Sequence, residues 1–263
     1  MPGTPTNVLA SAGWDSKFHL WDVRMNASST DINNNATTSN TSNTCQNPVA
    51  TIDLPDKAYS MDVDPSSGTR FVVATAGKRN CFIDVRMNTT NNAESTVASA
   101  EIISNRESSL KYQTRVCRFF PDGKGIAVGS VEGRVAIEFL EDLGVQPPSG
   151  MKKYAFKCHR VNDVVYPVNA IAFHQSYGTF ATGGCDGTVV TWDGLQKRKL
   201  SSLHKFPTSI AAMCFHQNGT ELAIASSYTF EEGERDHPRD EIYIRQIDDT
   251  EIMPKAMKNK REN

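Results

Sequence analysis

The residue types that most often carry chemistry are present in this chain, but they do not form a familiar catalytic or metal-binding pattern. The six cysteines never form a Cys-x-x-Cys pair, which favours free thiols over a zinc site or a disulfide framework. An acidic stretch runs from Glu231 to Asp240, without the glycine and ligand spacing of an EF-hand. Sequence motifs of serine hydrolases, zinc proteases and P-loop proteins are absent. The sequence therefore predicts a non-enzymatic protein without a metal or cofactor.

The composition disfavours several classes of protein. The 263 residues include 28 Lys+Arg and 30 Asp+Glu, a formal net charge of −2, whereas general binding of nucleic acid or membranes needs a basic excess. The sequence contains neither a signal peptide nor an apolar run of membrane-spanning length. We therefore expect a soluble intracellular protein with no membrane partner. Nucleic acid is disfavoured as a partner, and any basic site should be a local patch.

One pattern of residues recurs along the chain and predicts its fold. In each copy a turn of small residues leads into an alternating strand that ends in Trp-Asp or in a divergent version of that pair. The strand ends lie at Trp21, Ile83, Glu138 and Trp192, so successive copies are 62, 55 and 54 residues apart. This pattern is typical of WD-repeat β-propeller blades. We therefore predict an all-β WD-repeat β-propeller, a fold that mostly serves as a binding platform.

A blade has four strands, and the first three can be recognised four times. The first strands end in an aromatic or apolar residue before a glycine-containing turn, as hairpins require; they cover residues 61–65, 116–121, 170–174 and 213–216. The second strands are apolar throughout, which suits strands covered on both faces; they cover residues 71–74, 126–128, 180–182 and 222–225. The third strands cover residues 80–84, 134–139, 188–192 and 241–245.

An incomplete blade precedes these four. Residues 8–11 and 17–21 are predicted to be a second and a third strand, and no first strand precedes them. The total is about four and a half blades within residues 1–250, while closed propellers have about four to eight blades. We therefore expect an N-terminally truncated propeller. Its uncovered edge and blade face should favour aggregation.

Three segments are predicted to lie outside the core. Residues 26–47 are almost purely Asn, Ser and Thr, a composition that predicts a disordered insertion. Residues 88–99 are predicted to be a shorter flexible loop. Residues 251–263 are predicted to be a basic C-terminal tail; for its basic run, Lys255 to Arg261, a solvated tail is favoured over a weak nuclear-import signal.

The repeat pattern also assigns structural roles to six residues. In a WD blade, a histidine before the first strand commonly bonds to the turn aspartate and the strand-end tryptophan. These residues are the histidines His159 and His204, the aspartates Asp15 and Asp186, and the tryptophans Trp21 and Trp192. Trp14 differs from them, because its place in a turn predicts an exposed side chain. Exposed tryptophans are often interface residues.

Several strings are more specific than the repeat itself. They are residues 107–115 (ESSLKYQTR), 129–138 (GSVEGRVAIE), 153–160 (KYAFKCHR), 166–171 (YPVNAI) and 223–228 (AIASSY). Through them the chain resembles, from about Val8 to Arg245, the mitotic checkpoint WD-repeat protein of the budding-uninhibited-by-benzimidazole family. A sister family, the mRNA-export WD-repeat protein of the nuclear pore, shares the EGR and FKCHR strings. It is less similar over residues 110–115 and 236–245.

The resemblance implies a seven-bladed, non-catalytic propeller. One face of it would bind a GLEBS peptide, an acidic segment of the checkpoint kinase and of its pseudokinase relative. The same face would help to recognise phosphorylated MELT repeats of a kinetochore scaffold. The resemblance points to Arg115, Arg134 and Lys157 as basic contacts and to Trp14 as an aromatic contact. Forked guanidinium groups suit phosphothreonine and paired glutamates, and we expect the three cations at equivalent blade positions.

Other interpretations compete with this one. Arg134 follows a tight turn at the blade rim, where a solvated arginine is ordinary. An alternative function is a nucleoporin-binding mRNA-export factor with an additional RNA-binding surface, which the near-neutral charge disfavours. An enzyme or a ubiquitin-ligase substrate receptor has only the fold in its favour. The resemblance also implies a nuclear, kinetochore and cytoplasmic location, with ubiquitin or anaphase-promoting complex components as further partners.

Overall fold

The described part of the chain, residues 8–22, 47–89 and 95–261 of a computed structural model, forms five successive antiparallel sheets, here called blades 1 to 5. Blade 1 contains β1 (Val8–Ala12), β2 (Lys17–Asp22) and β3 (Ala50–Asp53). Blade 2 contains β4 (Ala58–Val63), β5 (Arg70–Thr75), β6 (Arg79–Thr89) and β7 (Ser95–Glu107). Blade 3 contains β8 (Thr114–Phe119), β9 (Gly125–Ser130), β10 (Arg134–Phe139) and β11 (Tyr154–Lys157).

A two-stranded ribbon separates blade 3 from blade 4 and consists of β12 (Arg160–Val161) and β13 (Val164–Val165). Blade 4 contains β14 (Val168–Phe173), β15 (Phe180–Gly184), β16 (Val189–Asp193) and β17 (Arg198–Ser202). Blade 5 contains β18 (Ile210–Phe215), β19 (Glu221–Ser226) and β20 (Glu241–Gln246). Short 3₁₀ turns cover Ala76–Lys78, Glu141–Leu143 and Pro148–Gly150. The helices α1 (Asp249–Ile252) and α2 (Lys255–Arg261) follow the last strand.

The core lies between the blades rather than within one of them. Each of four apolar clusters in the described residues joins two consecutive blades. Phe18 of blade 1, for example, packs with Ile83 of blade 2. The second strands β9 and β15 are buried along their whole length, because neighbouring blades cover both faces. This stacking of four- and three-stranded antiparallel sheets confirms the predicted WD-repeat β-propeller class.

The incomplete first blade gains a strand that its sequence did not reveal. β3 pairs with β2 through Lys17 opposite Asp53 and Leu20 opposite Ala50. The intervening insertion predicted at 26–47 lies outside the described residues except for Asn47. Blade 1 therefore has three strands in the described part of the chain.

The prediction of a flexible loop over residues 88–99 is wrong at both ends of that range, where strands are found. β6 continues through Thr89 and β7 begins at Ser95, and Asn88 pairs with Thr96 across the hairpin. Backbone hydrogen bonds can extend a two-stranded ribbon of Asn, Thr and Ser beyond the core, since such side chains do not need burial. Residues 90–94 lie outside the described part of the chain.

The tail predicted over residues 251–263 is anchored to the propeller where it begins. Ile252 and Met253 are buried, and Thr191 Oγ1 of blade 4 donates a hydrogen bond to the Glu251 carbonyl oxygen at 2.6 Å. Asp248 and Glu251 form a capping box that starts α1. The tail therefore packs against blade 4 before α2. None of the helices in the described residues is long and apolar enough to span a membrane.

Five of the six cysteines lie in the described part of the chain, where most are core residues with free thiols, and Cys45 lies outside it. Cys81, Cys117 and Cys185 are buried and unpaired, and Cys158 is half-buried. Burial raises the pKa of the Cys117 thiol to about 11 and that of Cys158 to about 12, so both stay protonated at neutral pH. Cys214 differs from the prediction of a core thiol, because its side chain is exposed.

Candidate peptide-binding face

The inner strand of each of blades 2 to 5 contains the same irregularity near its start. The strands β4, β8, β14 and β18 pack against one another around the centre of the molecule. In each of them one extra residue interrupts the pairing with the second strand. The extra residues are Tyr59, Arg115, Asn169 and Ala211. A β-bulge redirects the side chain of its extra residue, so the repeated bulge presents one variable side chain per blade.

The four bulged residues line one central depression of about 490 Å³. It opens at the end of the blades where the inner strands begin, which we call the top face. The remaining lining residues come from turns and loops at the same end; they are Trp14, Gln113, Val131 and Thr229. The depression thus combines aromatic, cationic and amide side chains from all five blades.

Arg115 is the cation of this depression. Its side chain is exposed, and among the described residues it forms no ion pair or hydrogen bond. Thr114 before it and Val116 after it are buried, so the bulge holds the backbone while the guanidinium group remains available. Arg115 is therefore the predicted basic contact with the most unused donors.

Arg134 and Lys157 are direct neighbours on the outer strands of blade 3. They lie opposite each other in the pairing of β10 with β11, so their side chains share one face of the sheet. Arg134 Nε lies 3.4 Å from Glu132 Oε2, and the Arg134 side chain is 34% exposed. Lys157 is exposed. The pair can present two positive charges, one of which is partly offset by Glu132.

The expectation that the three cations occupy equivalent positions of different blades is wrong. All three belong to blade 3, on its first, third and fourth strands. They share the top end of that sheet because Thr114 pairs with Ser130 and Val135 pairs with Gly129. Two strand spacings separate β8 from β10, roughly 10 Å. Arg115 is thus in the central depression, while Arg134 and Lys157 lie further out on the same blade.

A tight turn fixes the start of β10 and therefore Arg134. Gly133 has φ +62°, and a Cβ there would lie 2.6 Å from the His159 carbonyl oxygen. The Gly133 carbonyl oxygen also accepts a hydrogen bond from Cys158 N at 2.9 Å. Only glycine combines this backbone conformation with so close an approach.

Trp14 lines the depression from the turn between β1 and β2. Its side chain is 69% exposed, and its ring meets Tyr59 edge-on with centroids 6.2 Å apart. Lys57 Nζ lies 5.8 Å from the centre of the Trp14 ring. The turn is held against blade 2 by a hydrogen bond from Ala58 N to the Gly13 carbonyl oxygen at 3.0 Å. Trp14 and Tyr59 together form an aromatic wall.

A buried hydrogen-bonded chain supports blade 4 beneath this face. Trp192 Nε1 donates to Thr182 Oγ1 at 2.9 Å, which lies 2.9 Å from His159 Nε2. His159 Nδ1 lies 3.0 Å from Asp186 Oδ1. Burial alone would raise the pKa of Asp186, but hydrogen bonds from His159 and Thr188 lower it below its ordinary value. The carboxylate accepts, so His159 Nδ1 donates to it.

The other residues assigned structural roles are not joined in the same way. His204 is exposed and contacts Phe206, with ring centroids 4.8 Å apart. The predicted bond to a turn aspartate is wrong, because blade 5 has a long acidic loop in place of a short Asp-Gly turn. Trp21 is only half-buried, and its Nε1 donates to Ser11 Oγ at 2.9 Å. Asp15 Oδ2 lies 3.6 Å from His19 Nε2 on the adjoining strand.

Sequence reasoning missed six of the residues that line the depression, namely Tyr59, Gln113, Val131, Asn169, Ala211 and Thr229. Asn169 Nδ2 donates to the Ile210 carbonyl oxygen at 3.2 Å and so ties blade 4 to blade 5. Its Oδ1 is buried without a hydrogen-bond partner among the described residues. A comparison of the residues at the start of each first strand would have aligned Tyr59, Asn169 and Ala211 with Arg115. That these residues are bulged, however, becomes visible only once the strands are paired.

Comparison with known proteins agrees with this architecture. Residues 150–193 match the family model described as WD domain, G-beta repeat. That match spans the hydrogen-bonded chain from His159 to Trp192. The matched repeat and the stacked sheets define the chain as a WD-repeat β-propeller protein.

Curated relatives then show which proteins of that class the chain is similar to. The chain is 45% identical to mitotic checkpoint protein bub3 of Dictyostelium discoideum, over 92% of this chain and 64% of the relative. It is 43% identical to mitotic checkpoint protein BUB3.1 of Arabidopsis thaliana, over 94% of this chain and 64% of the relative. The predicted resemblance to the mitotic checkpoint WD-repeat family is thereby confirmed.

The sister family is also represented among the relatives. The chain is 36% identical to mRNA export factor GLE2 of Chaetomium thermophilum, over 88% of this chain and 55% of the relative. The chain spans 64% of the length of the two checkpoint relatives.

Proposed function

We propose that this chain is a non-enzymatic scaffold of the spindle assembly checkpoint that binds acidic and phosphorylated peptides on its top face. This proposal depends mainly on the central depression, in which Arg115 has no partner among the described residues and shares the lining with the aromatic wall of Trp14 and Tyr59. The guanidinium group can donate hydrogen bonds to carboxylates of an acidic peptide. Apolar atoms of the same peptide can pack against the aromatic wall. GLEBS segments of the checkpoint kinase and of its pseudokinase relative are the proposed ligands.

Arg134 and Lys157 supply the proposed site for phosphorylated repeats of a kinetochore scaffold. Their positions opposite each other in the pairing of β10 and β11 bring two cations close enough to share one dianionic phosphate. Arg134 can contribute forked donors, whereas Lys157 contributes a point charge. Separation from Arg115 by roughly two strand spacings would let one face hold a GLEBS segment and a phosphopeptide side by side.

The absence of catalysis is part of the proposal. The one buried His–Asp contact of the candidate region has its Thr182 and Trp192 partners inside the blade. His159 is 1% exposed and Asp186 is 7% exposed, so both are poorly placed to reach a substrate. The pair therefore supports a structural role. We also propose a nuclear and kinetochore location, with ubiquitin or anaphase-promoting complex components as further partners.

A second candidate function is that of an mRNA-export factor at the nuclear pore. The relative from Chaetomium thermophilum bears that name and matches 88% of this chain. The same depression would then hold a nucleoporin GLEBS peptide. Higher identity to the checkpoint relatives favours the first candidate.

Competitive capture distinguishes the two candidates. The 263-residue chain, immobilised, is offered equimolar GLEBS peptides from a checkpoint kinase and from a nucleoporin, each with its own fluorescent label. We expect preferential retention of the kinase peptide. Trp14→Ala should reduce its retention, while Leu195→Ala, which removes a 44% exposed apolar side chain elsewhere, should not. Exclusive retention of the nucleoporin peptide would favour export, and retention of neither would overturn the proposal.

A further inference from the structure

The loop between β19 and β20 carries an aromatic residue in a conformation that aromatic residues seldom adopt. Phe230 has φ +61°, in the left-handed region that favours glycine and asparagine and is an outlier for bulky side chains. Its side chain is nevertheless 65% exposed. Neither burial nor a turn requirement for phenylalanine explains why an unfavourable backbone conformation presents an apolar ring to solvent.

Hydrogen bonds on both sides of Phe230 hold this conformation. Glu231 accepts from Ser209 Oγ and from Thr229 Oγ1. Tyr228 Oη donates to the Gly233 carbonyl oxygen at 2.9 Å and accepts from Glu232 N at 2.9 Å. The loop is thus closed on itself around the exposed ring, and Glu231 ties it to Ser209, next to the start of β18. Local backbone strain at binding sites persists only when surrounding interactions hold the residue in this way.

The position of the loop connects it to the central depression. Thr229, next to Phe230, lines the depression, and Asn169 Nδ2 donates to Thr229 Oγ1 at 3.3 Å. Phe230 therefore directly follows a lining residue on the blade 5 side of the depression, and Trp14 lines the depression on the blade 1 side. Of the two carboxylates that follow Phe230 in the chain, Glu232 pairs with Arg235, which offsets its charge. Glu231 accepts a hydrogen bond from the neutral Ser209 hydroxyl, which leaves its charge in place.

We propose that Phe230 is a rigid aromatic anchor that packs on an apolar side chain of the peptide bound in the central depression. The inference rests on the proposed peptide-binding function and extends it. The ligand must then carry, beyond the acidic residues that pair with Arg115, an apolar residue that reaches the blade 5 rim. The unfavourable backbone conformation is maintained because it fixes the ring before the ligand arrives, which reduces the entropy lost on binding.

Replacement by glycine separates an anchoring role from a structural one. Glycine adopts positive φ without strain, so Phe230→Gly should leave the melting temperature within about 1 °C of the unaltered chain or raise it slightly. The same variant should weaken binding of a fluorescent GLEBS peptide of the checkpoint kinase by about 30-fold, as for an aromatic hot spot. Phe230→Tyr retains the ring and should bind within about threefold of the unaltered chain. Leu195→Gly serves as the control for loss of an exposed apolar side chain.

A double-mutant cycle identifies the peptide residue that contacts the ring. Each apolar residue of the GLEBS peptide is replaced by alanine and titrated against the unaltered chain and Phe230→Gly. One replacement should cost much less affinity in Phe230→Gly than in the unaltered chain. Binding by Phe230→Gly equal to that of the unaltered chain would overturn the anchor while leaving the proposed function standing. Weaker binding with a loss of several degrees in melting temperature would also overturn it, and no binding by the unaltered chain would overturn both.

Discussion

Replacing Arg115 by alanine should separate binding from stability more cleanly than any other change on the top face. The guanidinium group has no hydrogen bond or ion pair within the described residues, so its removal leaves no buried partner unsatisfied. Exposed substitutions of this kind change the free energy of unfolding by no more than about 0.5 kcal/mol. A charge-assisted hydrogen bond to a ligand carboxylate, by contrast, contributes about 1.5–3 kcal/mol. The loss of affinity for a GLEBS peptide should therefore be about 10- to 150-fold.

Isothermal titration at two salt concentrations provides the assay. The unaltered chain should bind more weakly at 0.5 M than at 0.1 M salt, since screening lengths shorten with ionic strength, and Arg115→Ala should respond less. Lys124→Ala is the matched control, because Lys124 is an exposed cation of the same blade in the turn between β8 and β9. Unchanged affinity of Arg115→Ala, or an equal loss in Lys124→Ala, would refute a specific contact and leave only a general charge effect.

Four further changes test other parts of the account. Arg134→Ala should weaken phosphopeptide binding about 10- to 100-fold in titrations, and Arg134→Lys should restore only part of it; full restoration would contradict bidentate contact. His159→Ala leaves Asp186 buried without its main partner and should cost about 2–4 kcal/mol in urea unfolding, whereas a loss below about 1 kcal/mol would show that the chain from Trp192 to Asp186 is dispensable. Gly133→Ala should lower the melting temperature more than Gly178→Ala, because both have positive φ but only the Gly133 Cβ meets backbone within 4 Å; equal losses would mean that conformation alone matters. The pKa of Asp186 is lower in the folded chain than its ordinary value of 3.8. Its ionised carboxylate therefore stabilises the fold above pH 3.8, and this contribution disappears as the pH falls through the lowered pKa. Asp186→Asn should accordingly lose less stability than the unaltered chain between pH 5 and about pH 2.

The fold could be predicted from the sequence because each blade has recognisable local patterns of apolar strands and turn residues. Runs such as residues 71–74 and 126–128 are apolar throughout, since adjoining blades cover both of their faces, and turn glycines separate them from the first strands. The Trp-Asp ends at Trp21 and Trp192 fix the spacing of the repeat. β3 escaped prediction because a polar insertion separates it from β2, and its own four residues carry no distinctive pattern.

The candidate site was only partly predictable. Arg115, Arg134 and Lys157 were identified through resemblance to a family, whereas the exposure of Trp14 was also predicted from its place in a turn. Their arrangement depends on pairing that sequence does not display, including the bulge at Arg115 and the register of Arg134 with Lys157. His204 illustrates the same limit, because its role depends on whether blade 5 supplies a turn aspartate. A histidine in the expected place has no aspartate to bond to when the facing loop lacks an Asp-Gly turn.

Hydrogen exchange with and without a bound peptide tests the central claim most directly. A saturating GLEBS peptide of the checkpoint kinase is added to the 263-residue chain, and amide exchange is followed by mass spectrometry. We predict slower exchange at the bulges of β4, β8, β14 and β18 and in the loop after β19, all of which surround the central depression. Unchanged exchange in these segments, with protection confined to the opposite ends of the blades such as residues 121–124, would contradict a ligand site on the top face.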